Sequence, residues 1–176
     1  MLIDASRATL LVIDVQEKLI GAVSDPAGTL ARTRWLLAAT AELELPTVIS
    51  EQYPKGLGHT VAALLEAAPA AEVVEKLHFS CVAGECLPAS LLAREQVIVC
   101  GMETHVCVLQ TVLELLQAGK QVFVVADACD SRSVDSKAAG LARMQGAGAQ
   151  IVTREMVLFE LMRSACLLYT SDAADE

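Results

Sequence analysis

Three reactive side chains of this sequence follow apolar, strand-like segments, and together they could attack an amide-like carbonyl. Asp14 lies in the apolar run Ala8–Val15, Lys76 ends the segment "EVVEK", and Cys107 follows "QVIVCG", one turn into a predicted helix. A carboxylate can accept the proton of an attacking thiol, while a helix N-terminus and a nearby ammonium favour the thiolate. Backbone N–H groups at the helix start can hold the resulting oxyanion. The residue types therefore predict addition of sulfur to a carbonyl.

The segments that must position these residues alternate between strand-like and helix-like patterns. The strand-like segments lack polar alternation, which is typical of a parallel sheet covered by helices on both faces. We predict strands at Ala8–Val15, Thr47–Ser50, Glu72–Lys76, Gln96–Gly101, Gln121–Asp127 and Gln150–Thr153. We predict helices at Gly28–Leu45, Val61–Ala67, Pro88–Arg94, Thr104–Ala118, Asp135–Gly148 and Glu155–Ala165, with a loop at Glu51–Thr60.

This pattern predicts a three-layer, doubly wound α/β fold with a six-stranded, mainly parallel sheet. In the strand order 3-2-1-4-5-6, strands one and four are neighbours where the order reverses, and ligands bind there beyond the carboxyl ends of the strands. Asp14 and Cys107 would then face each other across this point. Glu51, Asp127 and Asp130 also follow strands.

Each of the three residues also has an ordinary structural interpretation. An Asp after a strand is often a turn or capping residue, and Lys76 taken alone is better explained as a solvated strand end. Cys107 could be a small core residue, because free cysteine is among the most buried residue types. Only the shared location at strand ends favours the catalytic interpretation.

The composition restricts the classes of partner. The chain has 176 residues, 54% of them hydrophobic, and a formal net charge of −9. It is predicted to form one domain, to bind a small-molecule substrate and not to bind nucleic acid, because phosphate binding needs clustered Lys and Arg. No membrane span or secretory signal is predicted. The six cysteines are expected to be free thiols, which predicts a cytoplasmic location.

Three motifs resemble those of the isochorismatase-like cysteine hydrolases. "GMETHVCVLQT" (Gly101–Thr111) is similar to the nucleophile motif, "LLVIDVQ" (Leu10–Gln16) to the first-strand motif, and "EKLHFSC" (Glu75–Cys81) to the lysine segment. The likeness runs from Thr9 to about Arg163. The segments "EQYPKGLG" and "EMVLFEL" look like an uncharacterised branch of the family.

The resemblance implies a six-stranded parallel α/β fold and an Asp–Lys–Cys triad formed by Asp14, Lys76 and Cys107. It also implies a cis peptide bond between Met102 and Glu103, which directs the backbone N–H groups of Glu103 and Cys107 towards the oxyanion. Oligomers are implied as well.

Two departures from the family's known activities limit the choice of reaction. Nicotinamidases carry an Asp/His metal cluster after strand two, whereas this chain has "SEQYPKGLGH" there, with one His. Isochorismatases lack the cysteine and hydrolyse a vinyl ether. We therefore predict a hydrolase, free of metal and cofactor, that cleaves a small amide or related C–N bond through a thioester. The alternatives are a vinyl-ether hydrolase, a non-catalytic scaffold subunit, and a thiol redox role for Cys107 or Cys81.

The predicted substrate pocket is built from loops that follow the strands. His105 lies two positions before Cys107 and points away from it on a helix, so it is predicted to be a wall or capping residue rather than the base. Cys81 and Cys86, with His78 nearby, fit no standard zinc pattern and are predicted to be a loop thiol pair. The predicted pocket residues are Gln16, Gln52, Tyr53, His59, His105 and Arg132.

Two further predictions concern assembly and the end of the chain. The helix Thr104–Ala118 is apolar nearly all round, which would leave an exposed apolar face in a monomer unless neighbouring helices of the same chain cover it, so a symmetric homo-oligomer is predicted. The segment "CLLYTSDAADE" (Cys166–Glu176) resembles a translated sequencing-library adapter. It is interpreted as a non-native tail, which would leave the native domain at residues 1–165.

Overall fold

The computed structural model describes residues 1–164, and a six-stranded sheet forms its centre. Every strand pairing is parallel and the strand order is β3-β2-β1-β4-β5-β6, which confirms the predicted doubly wound fold. The strands are β1 (Ala8–Ile13), β2 (Thr47–Gln52), β3 (Glu72–Lys76), β4 (Gln96–Met102), β5 (Gln121–Asp130) and β6 (Gln150–Val152). The interpretation of Cys166–Glu176 as a non-native tail lies outside the described residues.

The helices pack on the sheet in two groups. One group joins α1 with α3 and α7, and the other joins α5 with α6. The helices are α1 (Pro26–Glu42), α2 (Pro54–Leu57), α3 (Ala62–Ala67), α4 (Ala89–Leu92), α5 (Leu109–Gln117), α6 (Val134–Gly146) and α7 (Arg154–Met162). The described part of the chain contains no helix that is both long and apolar enough to cross a membrane.

Several boundaries differ from the predicted ones because of capping and local hydrogen bonds. Helix α1 begins two residues earlier than predicted, since Asp25 accepts the N–H of Gly28 and Pro26 occupies the first helical turn. Strand β5 continues to Asp130, beyond a register shift against β4. The predicted loop Glu51–Thr60 contains the end of β2 and the short helix α2.

The predicted helix Thr104–Ala118 is divided into two parts. Its first five residues, Thr104–Val108, form one π-helical turn, and the α-helix α5 follows. Single π turns are frequent at functional sites. Here the turn carries Cys107, so it sets where the thiol lies.

The central strands β1 and β4 supply the rigid base of the site. All residues of both strands are buried, as expected for apolar strands covered on two faces. Gly101 in β4 has φ +119°, and a Cβ atom there would lie 2.1 Å from the carbonyl oxygen of Ile13. Only glycine therefore allows β4 to approach β1 this closely, just before the segment that leads to Cys107.

The predicted exposed apolar face of the helix at Thr104–Ala118 is wrong for the single chain. Its seven apolar side chains are all buried or partly buried within the monomer: Val106, Val108, Leu109, Val112, Leu113, Leu115 and Leu116. The covering comes from the same chain, because α5 packs against β5 and α6. Large exposed apolar side chains lie elsewhere, notably Leu77 and Phe79 after β3 and Val134 at the start of α6.

Candidate active site

Asp14 lies directly after β1 and is completely buried. Its backbone adopts a left-handed conformation with φ +55°. One carboxylate oxygen, Oδ1, accepts a hydrogen bond from Ser50 Oγ at 2.7 Å, and Oδ2 accepts one from Lys76 Nζ at 2.6 Å. Both carboxylate oxygens are thus satisfied by side chains from the carboxyl ends of the neighbouring strands β2 and β3.

Lys76 is a buried partner of Asp14 rather than a solvated strand end. Its side chain is fully inaccessible, and Nζ also donates to Gln52 Oε1 at 2.7 Å. Gln52 in turn donates through Nε2 to the carbonyl of Leu77 at 2.7 Å. Such a pair is held only where hydrogen bonds satisfy both charges, and Ser50 and Gln52 provide them.

Cys107 stands beside this ion pair. The residue is 7% exposed, and its thiol interacts electrostatically with both the Asp14 carboxylate and the Lys76 ammonium. The peptide bond between Met102 and Glu103, just before the π-helical turn, is cis. The structure therefore brings together the three side chains that the strand-end argument selected.

The protonation of the three groups follows from their burial. Burial and the Asp14 carboxylate raise the pKa of Cys107 to about 12, although Lys76 opposes the shift. Burial also raises the pKa of Asp14, against the opposite effect of Lys76. For Lys76, burial acts to lower the pKa, but Asp14 and Cys107 outweigh it and the pKa is raised.

The Cys107 thiol is therefore protonated at rest, although a helix start and a nearby ammonium favour the thiolate. A sulfur with a pKa of about 12 carries its proton at neutral pH, because the buried carboxylate beside it disfavours a second negative charge. Nucleophilic attack from Cys107 requires the proton to leave during the reaction. Asp14 is the adjacent group able to accept it, and Lys76 remains as the compensating cation.

A cavity of about 410 Å³ opens onto Asp14 and Cys107. Three of the predicted pocket residues line it, namely Gln52, His105 and Arg132. Its other lining residues are Leu19, Leu57, Phe79, Met102, Glu103 and Val106. A larger recess of about 570 Å³ lies beside the end of β3. Lys76 lines this recess, but neither Asp14 nor Cys107 does. The chemistry therefore assigns the site to the smaller cavity.

The other three predicted pocket residues do not line this cavity. Gln16 is buried and serves as a clamp, because Nε2 donates to the carbonyls of Gln52 and Gly58 at 3.0 and 2.6 Å. Tyr53 lines the larger recess instead. His59 lies 2.9 Å from Glu51 through Nδ1 and is otherwise exposed. Tyr53 and His59 both follow β2 in the sequence, yet neither side chain faces this cavity.

His105 and Arg132 shape the rim of the cavity. His105 Nδ1 lies 3.0 Å from Ser131 Oγ, which agrees with its predicted role as a wall residue. Arg132 is bonded through Nε to both oxygens of the Glu103 carboxylate, at 3.1 and 3.0 Å. Sequence reasoning did not identify this pair, since Glu103 and Arg132 are separated by 29 positions.

Polar residues near the other strand ends have structural roles. Asp130 accepts hydrogen bonds from Ser24 Oγ and from the N–H of Asp25, each at 2.8 Å, and so fixes the start of α1. Asp127 accepts from Arg154 Nη1 at 2.8 Å. These contacts explain why the two carboxylates of β5 are not part of the cavity.

The cysteines outside the cavity are free thiols in the described part of the chain. Cys81 is buried, and its carbonyl oxygen accepts a hydrogen bond from Cys86 Sγ at 3.4 Å. No cluster of three or more His, Cys, Asp or Glu side chains that could hold a metal ion occurs among residues 1–164. His78 lines the larger recess.

Comparison with known proteins gives one family. Residues 8–156 match the family described as Isochorismatase domain. A curated relative, the "Secreted isochorismatase effector Isc1" of Phytophthora sojae, is 37% identical over 90% of this chain and 78% of its own length. Because that relative is named as secreted, a cytoplasmic location for this chain stays a prediction.

Three solved structures have folds closely similar to this one. The "MAR1 Ribonuclease" of Caenorhabditis elegans has a TM-score of 0.90 and 35% identity, over 99% of this chain and 91% of its own. YcaC of Pseudomonas aeruginosa, solved "with hexane-2,5-diol and covalent acrylamide", has a TM-score of 0.87 and 30% identity, over 93% of this chain and 84% of its own. The Escherichia coli YcaC product, described as an "octameric hydrolase of unknown specificity", has a TM-score of 0.89 and 27% identity, over 99% of this chain and 86% of its own.

Proposed function

Because this chain belongs to the isochorismatase family, whose members include hydrolases, we propose that it is a cysteine hydrolase of small amides or related C–N bonds. The observation that carries the proposal is the position of Cys107 beside the buried Asp14–Lys76 pair, on the wall of a cavity large enough for a small molecule. The reaction needs no metal or cofactor, since the three side chains supply a nucleophile, a base and a charge partner.

The first half of the reaction transfers the acyl group to sulfur. Cys107 Sγ attacks the carbonyl carbon while its proton passes to Asp14, and the carbonyl oxygen becomes an oxyanion held by the backbone N–H groups of Glu103 and Cys107. Collapse of this intermediate breaks the C–N bond, and Asp14 returns the proton to the leaving nitrogen. Lys76 keeps the Asp14 carboxylate charged and compensates negative charge that develops on sulfur.

The second half hydrolyses the thioester. Asp14 removes a proton from a water molecule as the water attacks the acyl carbon, and the new C–O bond replaces the C–S bond. The sulfur leaves with the proton from Asp14, so the acid is released and the resting Cys107 thiol is restored. A single carboxylate acts as base and acid in both halves, which requires it to exchange protons readily with sulfur and nitrogen.

A panel of small amides tests the proposal. Release of ammonia from at least one primary amide or carbamoyl compound at neutral pH would support it. Hydrolysis of a vinyl ether without turnover of any amide would favour the isochorismatase-type alternative. Absence of turnover across the whole panel would favour the scaffold alternative.

Ribonuclease activity, which the name of the Caenorhabditis elegans protein carries, is not the function proposed for this chain. Phosphate recognition depends on cations free to contact the phosphate. The two cations close to the cavity, Lys76 and Arg132, are each paired with a carboxylate. The net charge of −9 also opposes approach of a polyanion.

The reaction depends on pH through Asp14. The mechanism needs Asp14 as a carboxylate and Cys107 as a thiol, so kcat/KM is expected to rise with pH through the Asp14 pKa. Because burial raises that pKa, the midpoint of the acid limb should lie above 3.8, the ordinary value for Asp. Between about pH 7 and 10 the profile should stay flat, since the Cys107 thiol does not ionise there.

A pH–rate profile with a slow neutral substrate measures how kcat/KM depends on the ionisation of Asp14 and Cys107. A limb that rises with a midpoint of about 8.5, where an ordinary thiol ionises, would show that activity depends on free thiolate and would contradict proton transfer to Asp14.

We also propose that the chain forms a homo-oligomer. Support comes from the octameric Escherichia coli neighbour and from the exposed apolar side chains of Leu77 and Val134. Light scattering at micromolar concentration, on protein ending near residue 165, should give at least twice the monomer mass. A monodisperse monomer would contradict this proposal and leave the catalytic one unaffected.

A further inference from the structure

The walls of the active-site cavity are mainly apolar. Five lining side chains are hydrocarbon or thioether groups, namely Leu19, Leu57, Phe79, Met102 and Val106. Phe79 is 54% exposed, so its ring is available to a bound molecule. An apolar lining of this kind removes water from the part of the substrate that lies beyond the reacting carbonyl.

The positive charge at the rim is already neutralised. The Arg132 guanidinium donates to both oxygens of Glu103, and the Arg132 backbone N–H donates to the same carboxylate at 3.1 Å. Hydrogen bonding to Arg132 holds the pKa of Glu103 below its ordinary value, so the carboxylate stays charged at neutral pH. The Arg132 side chain is 68% exposed, so solvent weakens this pair, but its bidentate geometry still matches the guanidinium charge to a carboxylate.

The charge of Lys76, which lines the neighbouring larger recess and pairs with Asp14 at this cavity, is neutralised in the same way. Lys76 donates to Asp14 and to Gln52, and its side chain is inaccessible to solvent. Each cation next to the cavity is thus matched by a carboxylate, and one of those carboxylates stands beside the nucleophile. Among the lining residues that the structure describes, no Lys or Arg side chain lacks a carboxylate partner.

We propose that the site accepts amides whose acyl group is uncharged and mainly apolar, and that it rejects amides bearing a carboxylate. This inference rests on the proposed function for the identity of the reacting bond. A carboxylate in this cavity would lose water without gaining a free cation, and it would lie close to Asp14 and Glu103, which repel it. An aliphatic or aromatic acyl chain would instead bury apolar surface against Phe79 and its neighbours.

A matched pair of alkylating probes tests the charge preference independently of hydrolysis. Iodoacetamide and iodoacetate differ mainly in charge, and both transfer a two-carbon group to sulfur with loss of iodide and the thiol proton. Peptide mass spectrometry measures their rates at Cys107 and at Cys86, which does not line the cavity. The ratio of iodoacetamide to iodoacetate rates should be at least about tenfold larger at Cys107 than at Cys86. Equal ratios would overturn the inference.

Two variants with the same change in net charge test the role of the Glu103–Arg132 ion pair at the rim of the cavity. Glu103→Gln leaves Arg132 without its carboxylate partner, so the ratio at Cys107 should shift severalfold towards iodoacetate. Glu66→Gln removes an exposed carboxylate on α3 and should leave the ratio as in the unmodified chain. Equal shifts in the two variants would show that the net charge, rather than the Glu103–Arg132 pair, excludes anions, and would overturn the proposed recognition.

A turnover comparison separates this inference from the proposed function. Pentanamide should be hydrolysed with a kcat/KM at least about tenfold above that of succinamate, which carries a carboxylate in place of the terminal apolar group. Preference for succinamate would overturn the inference while leaving amide hydrolysis standing. If neither compound is hydrolysed, the proposed function loses support, and the alkylation ratio at Cys107 still decides which charge class the cavity admits.

Discussion

The Cys107→Ala variant is expected to lose amide turnover, with kcat lowered at least ~10³-fold, because no other thiol lines the described cavity. Neither Asp14 nor a water molecule can replace sulfur in forming the thioester. The substitution should leave the fold intact, since the side chain lies at the cavity wall and alanine fits a π-helical turn without new polar groups. Ammonia release under saturating substrate measures the effect, and circular dichroism checks the fold.

The matched control is Cys86→Ala. The Cys86 thiol is half-buried, donates to the carbonyl of Cys81 and does not line the cavity, so its removal should change kcat by less than about twofold. The pair of variants also tests a thiol redox role. Amide turnover that survives loss of Cys107, together with peroxide consumption that disappears, would contradict the hydrolase mechanism and favour redox chemistry.

The Lys76→Met variant is expected to lose both activity and about 3–5 kcal/mol of unfolding free energy at neutral pH. Methionine has a similar length and no charge, so the variant leaves the Asp14 carboxylate buried without its ion-pair partner. Activity should fall because Asp14 then becomes protonated and can no longer accept the proton of Cys107. Urea unfolding at pH 8 measures the loss of stability.

The loss of stability should depend on pH in a defined direction. Without Lys76 the pKa of Asp14 in the folded state rises still further, so the folded variant holds a proton that the unfolded chain releases above about pH 3.8. The stability deficit should therefore grow as the pH rises from 5 to 8. A deficit that is constant or that shrinks over this range would contradict a raised pKa for a buried Asp14 that has lost its ion-pair partner.

The control is the double variant Asp14→Asn with Lys76→Met. Removing both charges leaves no buried ion, so the double variant should recover part of the stability lost by Lys76→Met alone. With the single variant Asp14→Asn measured as well, the coupling energy from the double-mutant cycle measures the ion pair itself. Additive effects would mean that Lys76 stabilises the fold through packing and not through Asp14.

The sequence was sufficient for the fold because its apolar strands and their spacing leave few arrangements. Continuous apolar runs such as the one ending at Asp14 predicted buried parallel strands, and the observed strand order confirms the arrangement. The family resemblance from three motifs is likewise confirmed by the match over residues 8–156. Asp14, Lys76 and Cys107 could be selected as neighbours because the carboxyl ends of parallel strands meet at one edge of the sheet.

The electrostatics of the site could not be predicted in the same way. Lys76 taken alone resembled a solvated strand end, and its burial depends on Gln52 and Asp14 from two other strands. The position of Cys107 at a helix start suggested a thiolate, but desolvation and the Asp14 carboxylate outweigh that effect in the folded chain. Burial is a property of the assembled sheet and helices, so residue type and spacing do not contain it.

Membership of a loop likewise did not predict which residues line the cavity. Tyr53 and His59 belong to the loop after β2 and were predicted to line the pocket, yet one turns to the larger recess and the other pairs with Glu51. Phe79, a lining residue, was missed because nothing in "EKLHFSC" distinguishes it from a core aromatic. The exposed apolar face expected on the helix at Thr104–Ala118 was absent because α6 covers α5 within the chain.

The most direct test of the central claim is to trap the acyl group on sulfur. The protein would be mixed with a slow neutral amide, quenched in acid within the first turnovers, digested and analysed by peptide mass spectrometry. The account predicts an acyl mass addition on Cys107 that appears before steady state, is removed by hydroxylamine and is missing from Cys107→Ala. Turnover of the amide with no acyl group on Cys107 at any time, in protein that releases ammonia at its full rate, would contradict it.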